Sequence, residues 1–300
     1  MKDIHAAISA DIPDLPDTGW TLLGEGVWGS VYDIGDGTVL KLVRRNGGLG
    51  TGESKIYREA TALELLASFV DSNAGFRLPR LLGSGRFANP YGFSGPPLAG
   101  WLRLEKLEGR PVDENGLYVL KMQERERIGE EIGAALAHYH SETAPLVEDT
   151  AKLSSPALRS ISEALTRIND PSLRARLERL KEAISAEVAP RVMLHGDLNF
   201  SNVLTARGTL PAFVDFAEAG VGFSEEDFRH FDNPGPLRDA IFRSYAAVSG
   251  RAINMTRFRM GIAVNAAVSL ALGSNAGHPR EAMRRVSFLD EALRQAGIEG

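Results

Sequence analysis

In the run His195-Gly196-Asp197-Leu198-Asn199-Phe200-Ser201-Asn202-Val203-Leu204, a carboxylate and a carboxamide stand five residues apart between apolar stretches. A second carboxylate, Asp215, follows in Val214-Asp215-Phe216. Val192-Met193-Leu194 before the run and Val203-Leu204 after it predict short strands, so Asp197 and Asn202 fall on the loop between them and Asp215 ends the next strand. That spacing can set a base, Asp197, beside metal ligands, Asn202 and Asp215. Phosphoryl transfer demands such a set: a divalent cation neutralises charge on the phosphate oxygens while a carboxylate orients a hydroxyl and accepts its proton. Magnesium takes oxygen ligands, which Asn202 and Asp215 offer. Each of the three alone is more often a turn former or a cap. Their occurrence behind two further features is what points to chemistry.

The first of these is Gly24-Glu25-Gly26-Val27-Trp28-Gly29-Ser30-Val31, a G-x-G-x-x-G-x-V run between two predicted strands. Glycines at 24, 26 and 29, with Ser30 beside them, let backbone N–H groups approach an anionic phosphate without side-chain obstruction. By itself such a hairpin is usually only a tight turn, and its place between strands argues against a dinucleotide-binding site. The second is Lys41, an ammonium on a half-apolar strand, expensive there unless a negative group faces it. Glu59 on the following helix is the favoured partner, with Glu53 and Glu64 as alternatives and Glu64 on a different helical face. A lysine so held could address the α- and β-phosphates of a nucleotide; standing alone it would read as an edge-strand lysine.

The elements that must position these groups are legible in coarse form. Residues 20–43 read as strand, glycine-rich turn, strand, a Gly35-Asp36-Gly37 reversal and strand, an antiparallel meander. Ile56, Ala60, Leu63, Ala67 and Val70 recur at helical spacing, with Asn73 and Gly75 as the stop. Further strands are expected near 78–85 and 101–107, separated by a long Gly/Pro-rich loop at 84–100 and followed by a linker at Glu108 to Pro111. Beyond it, Ile128, Ile132, Leu136 and Tyr139 share one helical face, amphipathic helices follow within 157–187, and helix returns over 237–296 with a break at 274–279. The reading is an α+β chain of two parts: residues 1–108, a small antiparallel-sheet lobe with one helix, and residues 109–300, a larger, mainly helical lobe.

Composition narrows the chemistry. Of the 300 residues, 43% are hydrophobic, enough for a substantial core. No cysteine is present, which removes disulfides, thiolate metal sites and cysteine nucleophiles. A net charge of -5 with dispersed cations offers nucleic acid no basic stripe. The N-terminal run lacks the features of a secretory signal, and the most apolar stretch, 261–273, is too short to span a bilayer, so a cytoplasmic location is expected.

Together, the glycine run from Gly24, Lys41, the His195-Gly196-Asp197 triplet with Asn202, and Asp215 resemble the protein-kinase-like superfamily, and within it the aminoglycoside phosphotransferase and choline kinase branch. The likeness runs from Gly24 through Asp227. It implies a kinase-like bilobal fold, ATP (or GTP) and Mg2+ as cofactors, Asp197 as base, Asn202 and Asp215 as magnesium ligands, and Lys41 with Glu59 as the phosphate-orienting pair. Glu105 to Leu107 would be the hinge contacting adenine, Glu105 and Leu107 among its nucleotide-binding residues. His195 would orient its loop through a backbone hydrogen bond, and Asp227 would brace that loop. Alanine at 217, where protein kinases have glycine, departs from the protein-kinase pattern.

Eleven residues separate Asp215 from Asp227, too few for a peptide-holding segment, and Asn199 stands where protein kinases usually place lysine. Both favour a small hydroxyl-bearing acceptor: an aminoglycoside, choline-like amine, amino sugar or homoserine-like compound. Glu218, Glu225, Glu226 and Asp239 would favour a cationic one if they face the site, and a solvated acidic surface is the competing reading. A protein-directed kinase and a nucleotide-binding module without turnover are the alternatives.

Overall fold

A computed structural model describes residues 8, 11–12, 14–16, 19–71, 75–87, 97–112, 117, 120–148, 153–273 and 279–299. The chain divides into two compact units, residues 1–72 with 78–108, and residues 73–77 with 109–300.

The first unit is built on a five-stranded antiparallel sheet in the order β1-β2-β3-β5-β4. Its strands are β1 (Thr21–Gly26), β2 (Gly29–Asp33), β3 (Thr38–Arg44), β4 (Leu81–Arg86) and β5 (Leu98–Glu105). The β2–β3 reversal is held by two aspartates that bind backbone two residues on: Asp33 Oδ1 accepts from Gly35 N at 3.0 Å and Asp36 Oδ1 from Thr38 N at 3.0 Å. One face of the sheet buries Leu40, Leu42, Tyr32 and Trp101 with Ile8, Ile12, Ile34 and Phe87. The period of two along β3 turns Lys41 away from Leu40 and Leu42, toward the opposite face.

Helix α1 (Gly52–Leu65) is capped by Thr51, whose hydroxyl accepts from Ser54 N. It is shorter than the apolar spacing suggests. A 3₁₀ turn takes over at Ala67–Phe69, and its tighter winding shifts the phase, so Ala67 is exposed where the α-helical period would bury it. Asn73 and residues 88–96 lie outside the described residues; the expected 84–100 loop is shorter at both ends, because β4 runs on to Arg86 and β5 already starts at Leu98, pairing Arg86 with Gly100.

The second unit is mainly helical, with two small sheets. Strand β6 (Arg110–Pro111) pairs with β8 (Val203–Thr205), which pairs with β9 (Ala212–Phe213); β7 (Arg191–Leu194) pairs antiparallel with β10 (Gly220–Phe223). The helices are α2 (Met122–Glu142), α3 (Pro156–Leu165), α4 (Pro171–Ala186), α5 (Pro236–Ser249), α6 (Met255–Gly273) and α7 (Pro279–Gln295). Ser155 and Asp170 cap α3 and α4 through Leu158 N and Leu173 N. The C-terminal helical region breaks once more than the pattern suggests: Gly250 takes φ 69°, its amide bonds Ala246 O, and α5 ends there. The β10 strand was not anticipated either, because two of its four residues are glycine and the alternation is short.

Helices α2 and α5 lie against each other through two glycines. A Cβ on Gly129 would stand 2.6 Å from Leu237 O, and one on Gly133 2.3 Å from Ile241 O. Gly129 and Gly133 are four apart and so share a face, letting the two backbones approach where any side chain would hold them apart. Ile132, Leu136 and Tyr139 of α2 are fully buried, and Tyr139 packs on Phe76, Phe213 and Phe216.

Candidate active site

In the first unit the glycine-rich run forms the β1–β2 hairpin, with Val27 and Trp28 at its turn. Gly24 and Gly26 have no atom within 4 Å of where a Cβ would lie, so on that side each opens to free space. Gly29 is glycine for another reason: a Cβ there would fall 1.9 Å from Leu42 O, on the adjoining strand. Ser30 follows it on β2. Trp28 is held at the turn by features sequence reading passed over. Gly48 lies against its ring, where a Cβ would come within 3.2 Å, and the Lys55 ammonium sits 4.7 Å from the ring centroid.

Lys41 meets Glu59, Nζ to Oε2 at 2.7 Å, with both side chains buried. Of the other candidates, Glu53 bonds Arg45 Nε at 3.2 Å and Glu64 is exposed. At the end of β5, the Glu105 amide is committed to Arg80 O at 2.9 Å and the Lys106 amide to Gly37 O at 3.0 Å.

In the second unit the loop after β7 is fixed from below by Asp227. Its carboxylate accepts two consecutive amides, His195 N at 2.9 Å and Gly196 N at 2.7 Å. His140 Nε2 adds a third contact at 3.1 Å, and Tyr245 OH meets His140 Nδ1 at 3.0 Å. Tyr245 and His140 belong to α5 and α2, so the helix pair carries the loop. Burial pushes the Asp227 carboxyl up, but the His140 bond, the neighbouring histidines and the two amides outweigh it and hold it below the usual range. Burial pushes the Tyr245 phenol up to about 12, which keeps it protonated.

His195 is fully buried, and both ring nitrogens are used: Nε2 donates to Val214 O at 2.9 Å and Nδ1 accepts from Asp197 N at 3.3 Å. That fixes the tautomer and leaves no nitrogen to take a proton from a substrate. Gly196 has φ 83°, and a Cβ would lie 2.0 Å from Glu218 O, so the turn into Asp197 tolerates no side chain. Arg229 Nη2 donates to the Gly196 carbonyl.

Asn202 is pointed by chemistry. Its partner at 2.9 Å is the Asp197 carbonyl, an acceptor, so Nδ2 faces it and Oδ1 is turned away as a potential ligand oxygen. The Asn202 carbonyl also accepts Val214 N at 3.0 Å, which brings the residue before Asp215 against it. Asp215 itself is left-handed, φ 69°. The donor set fits magnesium, which takes one or two protein carboxylate-type oxygens and completes its shell with water and phosphate.

Asp197 contacts His230, Nε2 to Oδ1 at 3.0 Å, a partner the sequence did not disclose. Burial pushes the Asp197 carboxyl up, but the hydrogen bond from His230 and the positive field of His230 and Arg229 hold it below the ordinary value, ionised at neutral pH.

The expected acidic field is reduced. Glu225 and Glu226 are buried: Glu225 pairs with Arg257 Nη2 at 3.0 Å, and Glu226 accepts Ala157 N at 3.1 Å and Phe223 N at 3.2 Å. Glu218 pairs with Arg159 at 3.0 Å. They brace the interior, and of the four acidic residues Asp239 is the one with most of its side chain in solvent.

The sequence profile of the phosphotransferase enzyme family (APH) matches residues 19–255. The chain belongs to that family. No curated protein sequence matches it. Among solved structures, the GDP and kanamycin complex of the phosphotransferase APH(2")-IIIa is 18% identical, with 98% of this chain and 99% of that one covered and a TM-score of 0.67. The macrolide 2'-phosphotransferase MphH from Brachybacterium faecium is 18% identical over 97% of this chain and 98% of its own, TM-score 0.60. A thermostable mutant of the aminoglycoside phosphotransferase APH(4)-Ia, in complex with ADP and hygromycin B, is 14% identical over 93% and 94%, TM-score 0.62. The phosphotransferase's fold is therefore the α+β, bilobal, kinase-like one. Among its described residues no helix is long and apolar enough to cross a membrane.

Proposed function

We propose that this phosphotransferase moves the γ-phosphate of ATP or GTP to a hydroxyl of a small molecule, with Asp197 as the base. The observation that carries the reading is the Asp197 carboxylate itself: ionised, on a loop anchored by Asp227, with Asn202 bonded to its own carbonyl. Gly24, Gly26, Gly29 and Ser30 would cradle the phosphates with backbone amides, and Lys41, held by Glu59, would address their oxygens. Glu105 and Leu107 would flank adenine; with the Glu105 and Lys106 amides committed, the Leu107 amide is the hinge donor. Asn202 and Asp215 would hold Mg2+, which supplies charge neutralisation on the phosphate oxygens when bound.

The stretch between Asp215 and Asp227 supports a small acceptor over a protein: it is used up by β10 and the 3₁₀ turn Ser224–Phe228, leaving no segment to hold a peptide. Because structural neighbours were crystallised with kanamycin and with hygromycin B, aminoglycosides are the first compounds to try. A nucleotide-consumption screen over aminoglycosides, amino sugars, choline-like amines, homoserine-like compounds and generic protein substrates is the test, with ATP and GTP in parallel. Turnover is expected on a small hydroxyl compound, and Asp197→Ala should abolish it while nucleotide still binds. Activity confined to protein substrates, or undiminished transfer by Asp197→Ala, overturns the proposal.

A further inference from the structure

We propose that His230 positions the base: its Nε2–H holds Oδ1 of Asp197 so that Oδ2 faces the acceptor hydroxyl. The inference rests on Asp197 being the base. Nothing in the 195–202 loop itself bonds the Asp197 carboxylate; that loop uses its side chains on backbone, Asn199 and Asn202 both donating to the Asp197 carbonyl. The carboxylate is held from a different segment, by the 3.0 Å contact to His230, and Asp197 keeps 37% of its side chain exposed. One oxygen is thus engaged, while Oδ2 makes no hydrogen bond among the described residues.

The proton on the shared edge is assigned by the acceptor. Arg229 Nε approaches the same ring nitrogen at 3.4 Å, but the carboxylate contact is shorter and charge-assisted, so Nε2 carries hydrogen and donates to Asp197. Nδ1 faces the Asn265 carboxamide at 3.5 Å. The ring is fixed on its backbone side as well, because His230 lies three residues beyond Asp227, the residue that grips the loop backbone. One short segment therefore sets both the height of the loop and the rotation of its carboxylate.

The same ring lines a cavity of about 90 Å³ with Phe200, Phe231, Leu117, Pro236 and Arg125. Phe200 and Phe231 pack with ring centroids 5.0 Å apart. His230 thus belongs both to the wall of that cavity and to the hold on Asp197. In the transfer, the acceptor oxygen forms a bond to the γ-phosphorus as the bond to the bridging oxygen breaks, and the nucleoside diphosphate leaves. The hydroxyl proton passes to Asp197 Oδ2 and then to solvent. His230 gives up no proton; it keeps the carboxylate from rotating away.

The test compares wild type, His230→Leu, His230→Gln and Asp197→Ala, each shown to be folded by its circular dichroism, using MgATP and the best acceptor from the screen. His230→Leu should lose about 10–100-fold in kcat, the worth of one hydrogen bond to a charged group, with KM for ATP within about twofold. His230→Gln, whose carboxamide N–H can replace Nε2–H, should recover most of the loss. Full kcat in His230→Leu while Asp197→Ala is inactive overturns the positioning role and leaves the base intact; full activity in Asp197→Ala removes the base and this inference with it. A measurement independent of any acceptor is the long-range 1H–15N spectrum of the histidine rings. A proton on His230 Nε2 is expected, and its absence at neutral pH would overturn the assignment.

Discussion

Glu226 carries a buried carboxyl that burial pushes up to about 7, against two amide bonds that favour its charged form. A carboxyl raised from 4.5 to about 7 contributes its stability in full below pH 4.5 and loses it as the pH rises through 7. The loss amounts to about 3 kcal/mol, so the melting temperature should fall between pH 5 and 8, and Glu226→Gln should flatten that slope whatever it does to the absolute value. A slope unchanged in the variant would mean another group titrates. Asp227 acts in the opposite sense: its depressed carboxyl contributes above the ordinary aspartate range and loses that contribution as the pH falls through its lowered value. At this scale the sequence was most informative where a residue acts through its immediate neighbours. Asp197, Asn202 and Asp215 could be put forward as candidates because their spacing along the chain is the signal. His230 and His140 could not, because their partners lie 33 and 87 residues away and only tertiary folding brings them together.

The strands and helices were legible wherever period and caps agreed. The meander announced itself through alternation and the Gly35-Asp36-Gly37 reversal, and α2 through its apolar face. What escaped was set by tertiary context: β10, whose glycines have no pattern of their own, and the end of α1, where a 3₁₀ turn cut short a spacing that still looked helical. Gly129 and Gly133 were present in the sequence but unread, since a glycine pair in a helix has meaning only once the facing backbone is known. Their role makes a prediction. Gly133→Leu should force α2 from α5 and cost about 1–3 kcal/mol, because its side chain would meet Ile241 O. Equilibrium urea unfolding measures it. As His140, backed by Tyr245, reaches from these two helices to Asp227, which holds the backbone of the 195–202 loop, the variant should also lose turnover beyond what its remaining folded fraction explains. Activity proportional to that fraction would count against transmission through the pair.

For the molecule as a whole, each unit carries its own core and its own share of the candidate nucleotide machinery, the glycine hairpin with Lys41 in one and Asn202 with Asp215 in the other. A ligand that binds only the folded state raises the melting temperature by mass action. MgATP at about 100 times its Kd should therefore add about 2.7 kcal/mol, read by differential scanning calorimetry. Chelating the metal with EDTA should remove most of that gain, and so should Asp215→Asn. A shift of the same size with and without magnesium would separate nucleotide binding from the Asn202 and Asp215 pair. The two-part, sheet-then-helix order could be read from the chain because the hydrophobic period changes from two to 3.6 near the Glu108 linker. The acceptor could not, since its recognition depends on side chains gathered by folding.

The left-handed backbone at Asp215 limits which residues that position can accept before chemistry is considered. Few side chains other than asparagine and aspartate adopt φ near 69° without strain, and glycine does so freely. A library randomised at that codon and sorted for soluble, folded protein should return chiefly aspartate, asparagine and glycine. The same library sorted for phosphate transfer should return aspartate alone, and the difference between the two sets separates what the backbone permits from what the reaction requires.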